Sequence, residues 1–393
     1  MLTPEHRAII TATVPILKEG GETLTRHFYL KLFNDFPEVK PFFNQTHQHG
    51  GTQQRALANS ILMYASNIER LEELGPLVKT IINKHAALQI LPEHYPKVGA
   101  ALLGAIREVL GADVATDAVI EAWASAYGQL ADILAGAEEQ IYQANEEAEG
   151  GWRGAREFKV AAKTVESDEI TSFVFVPADG GKVVAFLPGQ YITVLVTVNG
   201  QEMRRQYSLS AESNGATYRI SVKREPDGKV SNHLHDKLNP GDSITLFPPA
   251  GAFTLADSDK PLVLISGGVG ITPTLAMLSA ALRTRRPVHF IHAARHAGVH
   301  AFRSHIDQLA EQHPQLSRYY VYEQEQAGAA KADATGYIGK GHLADWLPAS
   351  RDVEAYFLGP TPFMKAMKTH LRELGVPEAQ TYYEFFGPAE ALQ

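Results

Sequence analysis

The sequence contains no cysteine. That absence excludes disulfides, thiolate zinc sites, cysteine-ligated iron–sulfur clusters, thiol nucleophiles and thioether-linked haem. It is compatible with a cytoplasmic location, which is expected. Charge of one sign is also scarce: 36 Lys and Arg against 44 Asp and Glu leave a formal −8. Such a balance carries no basic footprint for nucleic acid, so no nucleic-acid partner is expected. No apolar run of about 18 residues occurs, so no membrane span is expected. Residues 1–20 carry Glu5, His6, Arg7, Lys18 and Glu19 and lack the continuous apolar run and cleavage site of a signal peptide.

What is present is a chain of 393 residues, 45% apolar and 20% charged. That is ordinary globular composition and length enough for roughly two to three domains. The pattern changes character twice. Up to about Glu149, apolar residues recur three and four apart, predicting helices near 4–19, 22–33, 52–69, 76–88, 93–110 and 117–145. The Gly-rich, charged stretch Asn145–Gly154 ends that regime. Short β-rich runs follow at 158–165, 170–177, 191–198, 206–210, 217–223 and 243–247, separated by turn signals such as Asn199-Gly200. Their spacing predicts an antiparallel barrel. From about Lys260, strands at 262–265, 288–293, 318–322 and 356–358 alternate with helices, which predicts a parallel sheet covered on both faces. The expected organisation is a multidomain chain with limits 1–149, 150–258 and 259–393.

In the helical third, His85 lies on the apolar face formed by Leu77, Val78, Ile81, Ile82 and Leu88. A histidine there is either a satisfied core residue or a haem-iron ligand, since neutral imidazole suits iron. Glu138 falls on the stripe of Trp123, Tyr127, Leu130, Leu134 and Ile141. A carboxylate on such a stripe needs a partner, and an imidazole N–H would satisfy both groups. Tyr29, beside the core residues Leu24, Phe28 and Leu32, and Gln53, heading the stripe of Leu57, Ile61, Tyr64 and Ile68, bring hydrogen-bond donors into an apolar layer.

The segments Arg-His-Phe-Tyr-Leu-Lys-Leu-Phe at 26–33, Pro-Phe-Phe-Asn at 41–44, Tyr-Ala-Ser-Asn-Ile at 64–68, Asn-Lys-His-Ala at 83–86 and Leu-Pro-Glu-His-Tyr at 91–95 resemble the all-α globin domain of bacterial and yeast flavohaemoglobins. The resemblance implies haem b with His85 as proximal iron ligand. It implies Tyr29 as the residue that stabilises O2, with Gln53 and Leu57 beside it, and Phe43 packed on the porphyrin. Tyr95 and Glu138 form the relay behind His85, and Lys84 joins the catalytic set. An apolar or lipid ligand in the haem pocket and a monomeric state are also expected. The remaining histidines receive no metal role. His292, His296 and His300 follow a strand in a Gly-containing loop and are expected at the solvated surface.

Arg205-Gln206-Tyr207-Ser208 offers a cation for a pyrophosphate, a ring to stack on a flavin and a hydroxyl for a ring nitrogen. With Pro188-Gly189-Gln190-Tyr191 before it and Val230-Ser231-Asn232 after it, it resembles the flavin domain of ferredoxin-reductase-like proteins. The resemblance implies FAD contacts from Tyr191, Arg205, Gln206, Tyr207, Ser208 and Ser231. The run Gly267-Gly268-Val269-Gly270-Ile271-Thr272 sits between a strand and a helix expected from Pro273, with Thr272 as its N-cap. It offers backbone N–H groups to an anion and is similar to the family's NAD(P)H turn. Leu358 stands before Gly359-Pro360 where that family usually has cysteine. The final Glu384-Phe385-Phe386-Gly387-Pro388 resembles the segment that covers the flavin, which implies Phe385, Phe386, Gly387 and Pro388 as cofactor contacts and Glu384 as a member of the catalytic set.

The resemblance spans essentially the whole chain. It implies an NAD(P)H-dependent nitric oxide dioxygenase that turns NO and O2 into nitrate with electrons passed through FAD to haem. Two other readings stay open: an O2 carrier or sensor with a vestigial reductase, and a reductase of another acceptor such as a lipid hydroperoxide.

Overall fold

The computed structural model describes residues 2–43 and 51–387, and the chain divides into two compact units. The described part of the first unit covers 2–148, with 199–205 and Gly387.

The first unit opens with α1 (Pro4–Asp35), 32 residues long, capped by the Thr3 hydroxyl accepting from the His6 N–H at 3.1 Å. Two helices broken at Gly20-Gly21 are expected from sequence, yet the helix runs through. Neither glycine has a positive φ, and Gly21 is buried against Ala58. The small residue allows close packing here and does not punctuate the helix. Then follow α2 (Thr52–Ser66), α3 (Gly75–Leu88), α4 (Tyr95–Leu110) and α5 (Asp117–Glu147). Gln89 adopts a left-handed φ of 59° and closes α3, and Thr116 caps α5. Helix α1 packs on α2, α4 and α5, while α3 packs on α5. Their common core includes Leu24, Phe28, Leu32, Ile106 and Trp123.

An antiparallel sheet follows, in the second unit apart from the start of its fourth strand. Its strands are β1 (Arg156–Val165), β2 (Ile170–Pro177), β3 (Tyr191–Val198), β4 (Gln201–Ser208), β5 (Tyr218–Lys223) and β6 (Ser243–Leu246). The order is β4-β3-β6-β1-β2-β5, and a bridge from Leu209 to Ile220 joins the segment after β4 to β5, closing the sheet into a barrel. Strand β4 starts five residues before the expected 206–210 run, because Asn199 and Gly200 take positive φ of 51° and 75° and make a two-residue hairpin turn. A helix not foreseen from sequence, α6 (Lys229–Lys237), follows β5.

The parallel sheet has the order β10-β9-β8-β7-β11-β12. Its strands are β7 (Leu262–Gly267), β8 (Val288–Ala294), β9 (Leu316–Tyr322), β10 (Ala334–Thr335), β11 (Glu354–Leu358) and β12 (Thr381–Tyr383). Alternate residues of β7 feed two cores. Leu262 and Leu264 pack with α7 (Ile271–Ala281) and with Phe302 and Ile306 around α8 (Arg303–Gln312). Val263 and Ile265 pack with α9 (Lys340–Trp346) and α10 (Thr361–Glu373). Helices on both faces explain why Leu262–Ile265 of the central strand β7 is apolar and buried without alternation.

The expectation that His292 and His300 are solvated is wrong: they are 1% and 4% exposed. His292 belongs to β8, where its Nδ1 meets the Ser266 hydroxyl at 2.8 Å. His300 stacks on it at 4.4 Å and meets the Tyr322 hydroxyl at 2.7 Å. His296 is half-buried. Burial pushes His292 down to about 3 and His300 well below its ordinary range. Both are neutral when folded, whereas the unfolded chain protonates them below about pH 6.5. Stability is therefore lost as the pH falls from about 6.5 toward 3, at up to about 1.4 kcal/mol per pH unit for each proton taken up on unfolding. Urea unfolding across that range should show this slope, and His292→Gln should flatten it.

Candidate functional site

Helices α3, α4 and α5 deliver three polar side chains to one point in the first unit. His85 Nδ1 lies 2.8 Å from Glu138 Oε1, and the Tyr95 hydroxyl donates to the same oxygen at 2.7 Å. Nδ1 and the Tyr95 oxygen are themselves 3.1 Å apart. Glu138 is 1% exposed, so its charge needs these donors. Burial, and then the Glu138 carboxylate, hold the Tyr95 hydroxyl far above the usual phenol range, so it stays a donor. With Nδ1–H given to Glu138, the neutral imidazole carries its lone pair on Nε2, the nitrogen able to bind a metal.

The side chains Phe43, Leu57, Ile61, Val98, Tyr127 and Leu130 belong to the surrounding apolar cluster yet stay partly exposed. That is the wall a flat apolar group would cover. Tyr29 is buried among aromatic rings, 4.9 Å from Phe28 and 5.7 Å from Phe43. Gln53 and Leu57, on α2, are half-buried. Lys84 donates to the Gly387 carbonyl at 2.9 Å. Arg205 borders a cleft of about 210 Å³ with Lys40, Phe43 and Met203. The residues present fit a haem: one imidazole with a free nitrogen, an apolar wall and two polar side chains.

Three supporting residues are absent from the sequence reading of the site. The Tyr127 hydroxyl donates to the Tyr95 carbonyl at 2.7 Å, and that of Tyr142 to the Ile90 carbonyl at 2.7 Å. Arg204 donates to the Leu88 carbonyl, with its guanidinium 4.3 Å from the Phe42 ring centre. Arg204 sits next to the Arg205 motif, so adjacency was a usable signal. The backbone acceptors of the two tyrosines leave no trace in sequence.

In the second unit Tyr191 is buried, with its ring against Gly251, whose φ of 121° and lack of space exclude a side chain. Burial, and then the charge of Glu384, push its hydroxyl up. Ser208 is buried, Tyr207 half-buried and Gln206 exposed. Ser231 stands in the first turn of α6, where its hydroxyl accepts from the Glu225 N–H and donates to the Gly228 carbonyl, both at 3.2 Å. Phe385 meets Tyr383 edge-on at 6.0 Å, whereas Phe386 is 50% exposed. The Tyr191 ring and a half-exposed Phe386 are flat aromatic groups of the kind a flavin packs on. Pro388 lies outside the described residues.

The Gly-rich turn ends β7 and starts α7. Gly268 takes a φ of 55°, and Gly270 lies so close to the Leu358 carbonyl that no Cβ fits. The helix begins at Ile271 with Gly270 as its N-cap, so Thr272 is not the cap. Its hydroxyl donates instead to the Val269 carbonyl at 3.0 Å. Pro273 thereby falls in the first turn, where its missing N–H costs nothing. The turn brings backbone N–H groups to a helix N-terminus, that of Ile271 already donating to the Gly268 carbonyl, and such a terminus fits a pyrophosphate. Leu358, buried at the end of β11, pairs in register with Ser266.

Comparison with known proteins agrees with this division. Residues 26–134 match the globin family model, 157–255 the oxidoreductase FAD-binding domain and 264–369 the oxidoreductase NAD-binding domain. A flavohemoprotein of Burkholderia sp. (strain TH2) is 64% identical over 392 residues, covering 100% of both chains. One of Pseudomonas putida is 64% identical over 393 residues, again covering 100% of both. Among solved structures, the flavohemoglobin of Malassezia yamatoensis with bound FAD and heme aligns with a TM-score of 0.85 at 29% identity, covering 98% of this chain and 100% of that one. Full-length identity of this order, with all three domains in sequence, places the chain in the flavohemoprotein family.

Proposed function

We propose that the chain is a nitric oxide dioxygenase: an oxidoreductase that takes hydride from NAD(P)H and converts NO and O2 to nitrate, one nitrate per electron. The observation that carries this reading is the His85–Glu138–Tyr95 cluster beneath an apolar wall, in a chain that also holds FAD-binding and NAD-binding domains. Its cofactors are haem, FAD and NAD(P)H. The haem supplies the centre where O2 and NO meet, and FAD turns two-electron hydride input into single electrons.

The protein's part is to bind and orient. His85 presents Nε2 as the iron ligand. Glu138 accepts the Nδ1 proton, fixes the tautomer and makes the imidazole a stronger donor. Tyr95 steadies Glu138 by its own O–H. Tyr29 and Gln53 bring O–H and N–H donors to hold O2, Leu57 and Phe43 exclude water, and Lys84 belongs to the catalytic set. Tyr191, Arg205, Gln206, Tyr207, Ser208 and Ser231 hold FAD. Phe385, Phe386 and Gly387 belong to the segment that would cover it, and Glu384 to the catalytic set. Gly267, Gly268, Val269, Gly270, Ile271 and Thr272 receive the pyrophosphate of NAD(P)H through backbone N–H groups at the start of α7. The half-exposed apolar wall also suits an apolar or lipid ligand beside the haem.

Domain limits of 1–149, 150–258 and 259–393, a monomeric state and a cytoplasmic location belong to the same proposal. The first of these limits is supported by the change of unit after Ala148. No helix among the described residues is long and apolar enough to cross a membrane.

Three measurements test this reading. Under air, NO should accelerate NADH consumption and yield nitrate in proportion to the electrons supplied. An unchanged rate would leave the carrier or hydroperoxide readings standing. Tyr29→Phe should sharply raise the O2 dissociation rate in flash photolysis. Glu138→Gln should lower turnover by about ten- to hundredfold and shift the iron–histidine stretch in resonance Raman spectra.

A further inference from the structure

In doubly wound sheets the dinucleotide lies across the carboxyl ends of the strands. The residues just past the strand next to the Gly-rich turn meet the adenosine ribose, where a carboxylate takes the 2′-hydroxyl and an arginine accommodates a 2′-phosphate. Here β7 carries the turn, β8 lies beside it, and Arg295 is the first residue after β8. By position alone Arg295 would favour NADPH. Its guanidinium, however, is already engaged: Nη2 lies 2.5 Å from Glu169 Oε2. The Glu169 side chain is 18% exposed against 58% for Arg295, so the carboxylate is the sheltered partner.

Glu169 is held in place by its backbone. It sits in the turn between β1 and β2, where its carbonyl accepts the Arg224 N–H at 2.7 Å. The preceding residue is tied to the same loop. The Asp168 N–H donates to the Gly298 carbonyl at 2.9 Å, and its carboxylate packs closely against Gly298. Two carboxylates therefore border the 295–299 loop. A 2′-phosphate, carrying close to two negative charges at neutral pH, would have to displace Glu169 from Arg295 and sit beside Asp168. A 2′-hydroxyl meets no such penalty and can donate to a carboxylate.

We propose that Glu169, assisted by Asp168, sets the nucleotide preference toward NADH by masking Arg295, a latent 2′-phosphate ligand. The inference rests on the NAD(P)H reading of the turn at 267–272. The pair comes from two segments more than a hundred residues apart, so it is invisible to a motif search around the turn.

The test uses the full chain loaded with haem and FAD, with ferricyanide as acceptor at fixed ionic strength. The ratio of kcat/KM for NADPH to that for NADH is measured, together with inhibition by 2′,5′-ADP. The wild-type protein should prefer NADH. Glu169→Gln, and more so the double variant with Asp168→Asn, should raise the ratio by about tenfold or more and tighten 2′,5′-ADP inhibition. Adding Arg295→Ala to Glu169→Gln should abolish both gains. A wild-type preference for NADPH, or a ratio and an inhibition constant within about twofold of wild type in both carboxylate variants, overturns the inference while leaving the nicotinamide reading intact. If the wild-type protein reduces ferricyanide with neither nucleotide, both readings fall.

Discussion

The first unit is organised around one costly act, the burial of the Glu138 carboxylate. An ionised carboxylate removed from water must be matched by donors at close range, and leaving it unmatched costs several kcal/mol. The matching donors, His85 and Tyr95, come from two other helices, so α3, α4 and α5 must meet at one place and in one rotation. The Tyr127 hydroxyl holds the Tyr95 backbone, and Tyr142 ties the segment after α3 to α5. Each of these bonds reduces the freedom with which the imidazole could turn. The charge is thus a device for orientation, and the apolar core around it supplies the stability.

The second unit meets a different demand, since an extended dinucleotide must be approached closely by the main chain. The Gly-rich turn depends on two of its glycines: Gly270 lies against the Leu358 carbonyl where no Cβ fits, and Gly268 adopts a conformation that other residues avoid. Leu358 occupies the position before Gly359-Pro360 without leaving a gap, buried and paired with Ser266. A chain without cysteine cannot hold a cysteine-ligated iron–sulfur relay between its domains.

Much of this was legible in sequence, and the failures share a cause. Helical periodicity placed His85 and Glu138 on apolar faces, and glycine turns marked the hairpin at Asn199-Gly200 and the start of α7. Local rules failed where tertiary packing reassigns a residue. Gly20 and Gly21 read as a break because glycine lowers helix propensity, yet the contact with Ala58 makes the small residue useful. Thr272 read as a cap, but the turn supplies its own cap at Gly270. His292 and His300 read as loop residues, although the strand carries one of them and the sheet covers both. Pairs such as Arg295 with Glu169, joined only in space, had no local signal at all.

The continuity of α1 has a bearing on motion. Helix ends fray, while interior turns open only with the packed body around them. On a separate helix over 22–33, Tyr29 would lie about two turns from a free N-terminal end. On a rod running from Pro4 to Asp35 it lies farther from either terminus than the last turn. Its backbone amide should therefore be among the slowly exchanging ones, and the position of its hydroxyl is set by the rigidity of the whole helix rather than by the handful of rings that touch it.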